Sequence, residues 1–235
     1  MKGIPMPQSQ SASKQTSNPA AINSSYPLLV LGSHNQKKKG ELTALLAPLG
    51  FEIHDLSEFP NAIDVEESGT TFTENARQKA VEQAKILKMW VIGEDSGLEV
   101  EALGGRPGVY SARFAGQPFE ERWKNDEANN DKLLEELGDL PPEKRGARYV
   151  CHIALSDPDG NIRAEAENYC CGRIRTERSG TNGFGYDPLF EIVEYHKTFG
   201  ELSPEIKACI SHRACALREF SEKLLQLFSK TPGMP

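Results

Sequence analysis

The sequence has no hydrophobic stretch approaching the roughly 20 residues that a membrane-spanning helix requires. Its N-terminal segment also lacks the apolar core of a secretory signal. Basic residues are fewer than acidic ones: the chain has 27 lysines and arginines and 34 aspartates and glutamates, which gives a net charge of −7. An acidic surface repels nucleic acid polymers and anionic membranes. We therefore expect no membrane association and no generic binding to nucleic acid, although cations gathered at one place can still hold an anionic substrate.

Cysteine is scarce and irregularly placed. The five cysteines are odd in number, and no two of them form a Cys-x-x-Cys pair. This argues against a zinc ribbon or a regular disulfide framework and favours reduced thiols in a cytoplasmic protein. The chain is 38% hydrophobic and 26% charged, as folded soluble proteins are, and its 235 residues suffice for one large domain or two lobes sharing a cleft.

The N-terminal segment differs in composition from the rest. Residues 1–27 are rich in Ser, Gln, Asn and Pro and too poor in apolar residues to form a core. They predict a disordered tail, and we place the folded domain at residues 28–230.

Within that domain, strand and helix patterns alternate at first. Short apolar runs at 28–31, 51–54 and 90–93 predict buried strands. A leucine stripe ending at Gly50 predicts one helix, and the capping box from Thr71 to Glu74 opens a second. Asp95-Ser96-Gly97 predicts a break before a half-exposed strand over 98–103. The sequence thus indicates a mixed α/β fold.

The C-terminal half predicts a hairpin between two helices. A helical pattern covers 126–137, and two long strand patterns at 147–156 and 162–174 flank a turn at 157–160. Ser211 is a suitable N-cap for a last helix.

The first polar cluster follows the first strand and opens the first helix. Backbone N–H groups at a helix start, together with hydroxyl, amide and ammonium groups, suit a chain of phosphates. The glycine spacing of a Walker loop is missing. A solvated lysine patch is the alternative. The cluster consists of Ser33, His34, Asn35, Gln36, Lys37, Lys38 and Lys39.

The second cluster is acidic. Glu66 and Glu67 stand upstream, and Glu94 and Asp95 follow a buried strand. Carboxylates beside phosphates bind Mg²⁺, and a further carboxylate can activate the attacking water. Ordinary surface acids are the alternative. That alternative is favoured for Glu67 and disfavoured for Asp95.

The third cluster is a glycine-rich loop over residues 179–188. Phe184 and Tyr186 offer ring faces for stacking a base, and Asp187 offers hydrogen-bond acceptors. A structural glycine turn is the alternative.

His212 and Arg213 open the last helix. A basic pair at a helix start is electrostatically unfavourable unless an anion or an electron-rich base edge lies nearby.

Assembled, these residues closely resemble the inosine triphosphate pyrophosphatase family, whose members are also called Ham1-like proteins. The likeness runs from about Leu28 to Phe228. Its most specific stretches are 94–98 with 103–108, and 184–188.

The resemblance implies an elongated mixed sheet with flanking helices, folded as two lobes around a cleft. It implies a homodimer that hydrolyses ITP, dITP and XTP to the monophosphate and pyrophosphate, with Mg²⁺ as cofactor. By position, Glu66 and Asp95 match metal-binding acids, with Glu94 as a further candidate, and Asp95 also matches the general base. The substrate-binding positions implied are the loop from Ser33 to Lys38, Ser96, Phe184, Gly185, Tyr186, Asp187, Lys207, His212 and Arg213.

Three positions depart from the family pattern. Ser33 replaces a threonine and keeps its hydroxyl, Gln36 replaces a frequent lysine, and Glu94 replaces a commoner aspartate. The last change leaves open whether Glu94 or Asp95 holds the metal. Rival hypotheses are a related house-cleaning pyrophosphatase for other modified nucleotides, a non-catalytic nucleotide-binding regulator, and a structural protein.

Overall fold

The computed structural model describes residues 26–116 and 121–229. Its centre is a seven-stranded mixed sheet with the strand order β2-β1-β3-β4-β5-β6-β7. Strand β1 pairs in parallel with β2 and β3, and the remaining neighbours are antiparallel. The strands are β1 Leu29–Leu31, β2 Ile53–Asp55, β3 Trp90–Val100, β4 Gly146–Ser156, β5 Ile162–Ile174, β6 Phe190–Ile192 and β7 Lys197–Thr198.

Within the described residues, five α-helices flank the sheet: α1 Gln36–Leu46, α2 Phe72–Leu87, α3 Arg122–Leu137, α4 Pro204–Ile210 and α5 His212–Ser229. Local capping explains several helix starts. Asn35 accepts hydrogen bonds from the backbone N–H groups of Lys37 and Lys38, and Thr71 forms the expected capping box with Glu74. Ser211 accepts from the backbone N–H of Ala214 at the start of α5. The predicted mixed α/β fold with flanking helices is confirmed.

The apolar residues form two large clusters. One joins β1, α1 and α5 and includes Leu31, Leu46 and Phe220, with Tyr26 packed against it. The other joins the far half of β3 to α3 and β6 and includes Leu98, Leu133 and Phe190. Tyr26 stacks on Phe51 with 4.5 Å between ring centroids. The packed structure therefore includes Tyr26 of the predicted tail, whose residues 1–25 lie outside the described part.

The predicted break at Asp95-Ser96-Gly97 is wrong. Strand β3 runs through it to Val100 and pairs with β4 continuously from Val91 to Val100. Position 97 of the strand requires glycine, because a Cβ there would overlap the hydroxyl of Ser111. The glycine thus marks a close approach of two backbone segments and not a turn. The predicted strand over 98–103 ends at Val100 and continues as a 3₁₀ turn, Glu101–Leu103.

Two helix boundaries also differ from expectation. Helix α3 begins at Arg122, four residues before the predicted start. The short helix α4 was not predicted, although its N-cap Ser203 and the following Pro204 are standard start signals. In the described part of the chain, none of the helices is long and apolar enough to cross a membrane.

Candidate functional site

A cleft of about 490 Å³ is lined by residues from all three polar clusters. Its walls come from the end of β1, the middle of β3, the loop before α2, the start of α3, the loop after β5, and α4 and α5. Of the predicted site residues, the cleft brings together Ser33, His34, Asn35, Lys38, Asp95, Ser96, Phe184, Gly185, Tyr186, Asp187, Lys207, His212 and Arg213.

The side chains of the first polar cluster point in different directions, and only some of them face the cleft. Asn35 and Lys38 face the cleft. Gln36 instead donates to Asp55 at 3.0 Å on the far side of α1. Lys37 is not among the lining residues; its Nζ donates to the carbonyl of Gly183 at 3.3 Å and lies 4.8 Å from the centre of the Phe184 ring. The prediction that every residue of this loop binds substrate is therefore too broad, because successive helical residues point 100° apart.

The acidic residues occupy different places from those expected. Glu66 is exposed and is not among the lining residues, whereas Glu67 lines the cleft. The ammonium of Lys79 lies 3.1 Å from Glu67 Oε1 and 3.1 Å from Asp95 Oδ1. A buried cation thus joins two carboxylates at the cleft wall. The interpretation of Glu67 as an ordinary surface acid is wrong.

Asp95 is held from both sides. Its Oδ1 accepts from Lys79, and its Oδ2 accepts from the side-chain amide of Asn75 at 3.1 Å. Burial raises the pKa of Asp95, and the charges of Lys79 and Lys38 only partly offset this effect. Its carboxylate is therefore more basic than that of an exposed aspartate.

Glu94 is fully buried behind the cleft wall and pairs with two cations. Its carboxylate contacts Lys38 Nζ, and Nε of Arg213 donates to its Oε1 at 3.3 Å. Burial acts to raise the pKa of Glu94, but Lys38 and Arg213 outweigh it and hold the pKa well below its ordinary value. Glu94 is thus a permanent anion that anchors two cations, a setting that does not suit its predicted role as a metal ligand.

The glycine loop surrounds Asp187. Its buried carboxylate contacts Lys207 Nζ and accepts from the backbone N–H of Phe184 at 2.7 Å. Gly183 has φ +78°, and a Cβ there would overlap Asp187, so only glycine fits at this position.

Tyr186 does not offer a free ring face. It is 3% exposed, and its hydroxyl donates to the carbonyl of Ser111 at 2.8 Å. Phe184 remains the candidate for stacking, with Lys207 Nζ 5.0 Å from its ring centre. The prediction that Tyr186 stacks on a base is wrong because its ring belongs to the apolar cluster around Phe190.

His212 and Arg213 are both buried at the start of α5. His212 stacks on Tyr149 at 4.7 Å, and burial together with the Arg213 charge lowers its pKa well below the ordinary value. His212 is therefore neutral, so that of the predicted basic pair only Arg213 carries a charge. Arg213 donates to Glu41 at 2.6 Å and to Ser96 at 3.0 Å besides Glu94, so two of its five N–H groups stay available.

Sequence reasoning missed Lys79 and Asn75. Both lie on α2 beside an alanine stripe, and with Gln83 they form a polar row at the spacing i, i+4, i+8. All three side chains are buried. Polar residues repeating at helical spacing next to a buried stripe were the signal that marked them. Further cleft residues come from the start of α3: Asn125, Asp126 and Asn129.

The chain is similar to several known proteins. The model of the Ham1 family matches residues 29–223. A dITP/XTP pyrophosphatase of Rhodopirellula baltica is 57% identical over 199 residues, covering 85% of this chain and 93% of that protein. A dITP/XTP pyrophosphatase of Desulforamulus reducens is 48% identical over 200 residues, covering 85% and 96%.

Solved structures give the same result. The Staphylococcus aureus Ham1 protein superposes with a TM-score of 0.75 at 41% identity, covering 84% of this chain and 98% of that one. A HAM1 protein from Coxiella burnetii gives a TM-score of 0.78 at 36% identity, covering 86% and 100%.

Proposed function

The chain belongs to the Ham1 family, and from this premise we propose that it hydrolyses ITP, dITP and XTP to the monophosphate and pyrophosphate. One observation carries the proposal. A single cleft holds the acid–lysine group of Glu67, Lys79 and Asp95 together with the Asp187–Lys207 pair and Arg213. The first suits phosphate hydrolysis and the second suits recognition of a polar base edge.

The start of α1 suits the phosphate chain. The Ser33 hydroxyl, the Asn35 side chain and the Lys38 ammonium gather at one side of the cleft. The positive end of the α1 dipole lies there too and attracts anions. Although the whole chain is acidic, this dipole and Lys38, which Glu94 holds in place, favour a bound triphosphate.

Mg²⁺ is proposed as the cofactor, with Glu67 and Asp95 as the residues that hold it. Both are hard oxygen donors, and the Lys79 ammonium already lies between them as a cation would. Magnesium sites in phosphate-processing enzymes need only one or two carboxylates, because waters and phosphate oxygens complete the shell. When bound, the metal neutralises phosphate charge and stabilises the leaving pyrophosphate.

Asp95 is the proposed general base. It takes a proton from water, whose oxygen bonds to the α-phosphorus while the bond from that phosphorus to the bridging oxygen breaks. The electron pair leaves with pyrophosphate. The raised pKa of the buried carboxyl favours this transfer, and Lys79 with Asn75 keeps the carboxylate in one orientation.

The cleft residues next to the glycine loop suit a 6-oxopurine. Arg213 and Lys207 can only donate hydrogen bonds, and both line the cleft. Hypoxanthine and xanthine present an accepting oxygen at position 6, whereas adenine presents a donating amino group. ATP would therefore leave buried donors facing a donor, which is costly. GTP shares the oxo group, so its exclusion depends on its 2-amino group.

The test is pyrophosphate release from ITP, dITP, XTP, ATP and GTP with Mg²⁺. We expect fast release from the first three and rates lower by about 10²-fold or more for ATP. Preferred turnover of a modified pyrimidine triphosphate would instead indicate a related house-cleaning enzyme. Tight binding of ITP without pyrophosphate release would indicate a nucleotide-binding regulator.

We also propose that the protein works as a cytoplasmic homodimer, as the family resemblance implies. An exposed patch supports a second copy as the partner. Tyr110 and Tyr169 are each 56% exposed, and the Arg148 guanidinium lies 5.6 Å from the Tyr169 ring. Tyrosine and arginine are enriched at interfaces. Sedimentation of the purified protein at about twice the monomer mass would support the dimer, and a monomer would refute it.

A further inference from the structure

The loop that carries Glu67 has no helix or strand of its own. Residues 59–71 run between a short 3₁₀ turn and α2. Side chains of α2 hold this loop at several points. Gln83 exchanges two hydrogen bonds with the backbone of Ile63, at 3.1 and 3.2 Å, and Gln78 accepts from the hydroxyl of Ser68 at 3.2 Å.

Asn75 makes a different kind of bridge. Its Oδ1 accepts from the backbone N–H of Gly69 at 2.8 Å, and its Nδ2 donates to Asp95 at 3.1 Å. It is fully buried. The Gly69 N–H must meet an acceptor and the carboxylate must meet a donor, so the amide has only one workable orientation. One side chain thus connects the Glu67 loop to the carboxylate of Asp95.

The contact with the loop is tight. A Cβ at Gly69 would lie 2.6 Å from Asn75 Oδ1 and 2.7 Å from Glu74 Cβ. The loop backbone therefore lies directly against α2 at this point. Because the amide is neutral, it restrains Asp95 without competing with a cation for the negative charge, unlike the ammonium of Lys79.

We propose that Asn75 is a positioning residue that fixes the Glu67 loop and the Asp95 carboxylate relative to each other. The inference rests on the proposed function, in which Glu67 and Asp95 act together. Groups that orient ligands or catalytic side chains typically contribute about 10- to 100-fold to activity, and misplacing a reacting group by about 1 Å has a similar cost.

The experiment compares Asn75→Ala with Gln83→Ala. Both remove a buried amide of α2 that bonds to the same loop, but Gln83 bonds to Ile63 and the hydrogen bonds of its amide do not reach Asp95. With ITP and Mg²⁺, Asn75→Ala should lower kcat by about 10- to 100-fold with KM nearly unchanged. Gln83→Ala should keep both constants near the parent values, even if both variants melt earlier.

Hydrogen exchange supplies a readout independent of turnover. Amide exchange over residues 66–70 should accelerate in Asn75→Ala and stay at the parent rate in Gln83→Ala. If Asn75→Ala does not fold, Gly69→Ala tests the other end of the bridge without removing a buried group. It should accelerate the same exchange and lower kcat.

Three outcomes would overturn the proposal: kcat of Asn75→Ala matching that of Gln83→Ala, unchanged exchange over 66–70, or a folded Gly69→Ala protein with parental kcat and exchange. If the parent protein hydrolyses none of the purine triphosphates, the proposed function fails instead. The exchange rates then decide alone whether the bridge holds the loop.

Discussion

At the scale of single residues, the site consists of ions that are buried in pairs or triads. Lys79 lies between Glu67 and Asp95, and Glu94 holds Lys38 and Arg213. Removing one member of such a group leaves a buried charge without its partner, which costs more than the pair contributes. Substitutions that keep size and hydrogen bonding therefore test function more cleanly than truncations.

Asp95→Asn keeps the shape of the side chain but removes its basicity and charge. We expect a folded protein whose turnover of ITP falls by at least about 10²- to 10⁴-fold, the usual effect of losing a general base. Pyrophosphate release at saturating Mg²⁺ measures it. Turnover within a few-fold of the parent would show that another group activates the water.

Arg213→Ala should lower ITP turnover and narrow the ratio of ITP to ATP turnover, since its remaining N–H groups are the proposed donors to the 6-oxo group. Because Arg213 also pairs with Glu94, a loss of stability is expected too. The ratio separates the two effects, since instability lowers both rates alike. An unchanged ratio would mean that Arg213 does not recognise the base.

The buried His212 should make the free energy of unfolding depend on pH, and the direction of its pKa shift sets the sign of that dependence. Burial holds its folded-state pKa well below 6.5, so the unfolded chain takes up the proton first as the pH falls. Stability is then lost below about pH 6.5, by up to about 1.4 kcal/mol per pH unit. Urea unfolding of His212→Gln between about pH 7 and 5 should lack this slope.

His54 serves as the control for that measurement. Hydrogen bonding to Glu52 raises its pKa above 6.5, so its contribution to stability is present at low pH and disappears as the pH rises. His54→Gln should therefore steepen the loss of stability on acidification. Equal slopes in the parent and His212→Gln would contradict the neutral state of His212.

At the scale of elements, two helices place most of the site. Helix α2 lies so close to β3 that a Cβ at Gly93 would overlap the backbone of Ala76. This close approach lets Asn75 and Lys79 reach Asp95 on the strand. Helix α3 binds the glycine loop, since Asn130 donates to the carbonyl of Gly185 at 2.9 Å. The geometry of the cleft thus depends on how these helices end and pack.

Arg145 is the main support at the end of α3. Its guanidinium is buried and donates to the carbonyls of Gly138 and Leu140, where the helix dipole is negative. Arg145→Ala leaves these acceptors unpaired and opens a cavity, so we expect a loss of at least about 3 kcal/mol in unfolding free energy. The half-exposed Arg163, paired with Asp157, is the control, and Arg163→Ala should cost at most about 1 kcal/mol. Similar losses would contradict this role.

At the scale of the whole molecule, the composition of the N-terminal segment predicts that the packed domain does not need it. Tyr26 stacks on Phe51 and lies 6.3 Å from the Phe228 ring, measured between ring centroids. Residues 1–25 contain few apolar side chains that could add to this core.

A chain starting at Ser25 should therefore match the full chain in melting temperature and in turnover of ITP. Extending the deletion through Tyr26 should lower the melting temperature, because an aromatic stack is lost. Thermal unfolding and pyrophosphate release measure both. A clear loss in the shorter deletion would show that the N-terminal segment docks on the domain.

Most of the elements and the family could be predicted from local sequence patterns. Local signals were sufficient for α1, α2 and the hairpin of β4 and β5, because capping residues, apolar periodicity and turn residues act within a few positions. The specific stretches at 94–98 and 184–188 indicated the family. The three polar clusters could be recognised from residue type alone, because phosphate, metal and base binding each call for particular chemical groups.

Which neighbouring residues share a face depends on the folded chain. Glu67 and not Glu66 shares Lys79 with Asp95, Glu94 is buried between Lys38 and Arg213, Tyr186 belongs to the core, and His212 is neutral. Residues adjacent in sequence point in different directions, and a pKa depends on charges brought close by folding. Such properties arise from long-range packing, which local sequence patterns do not encode.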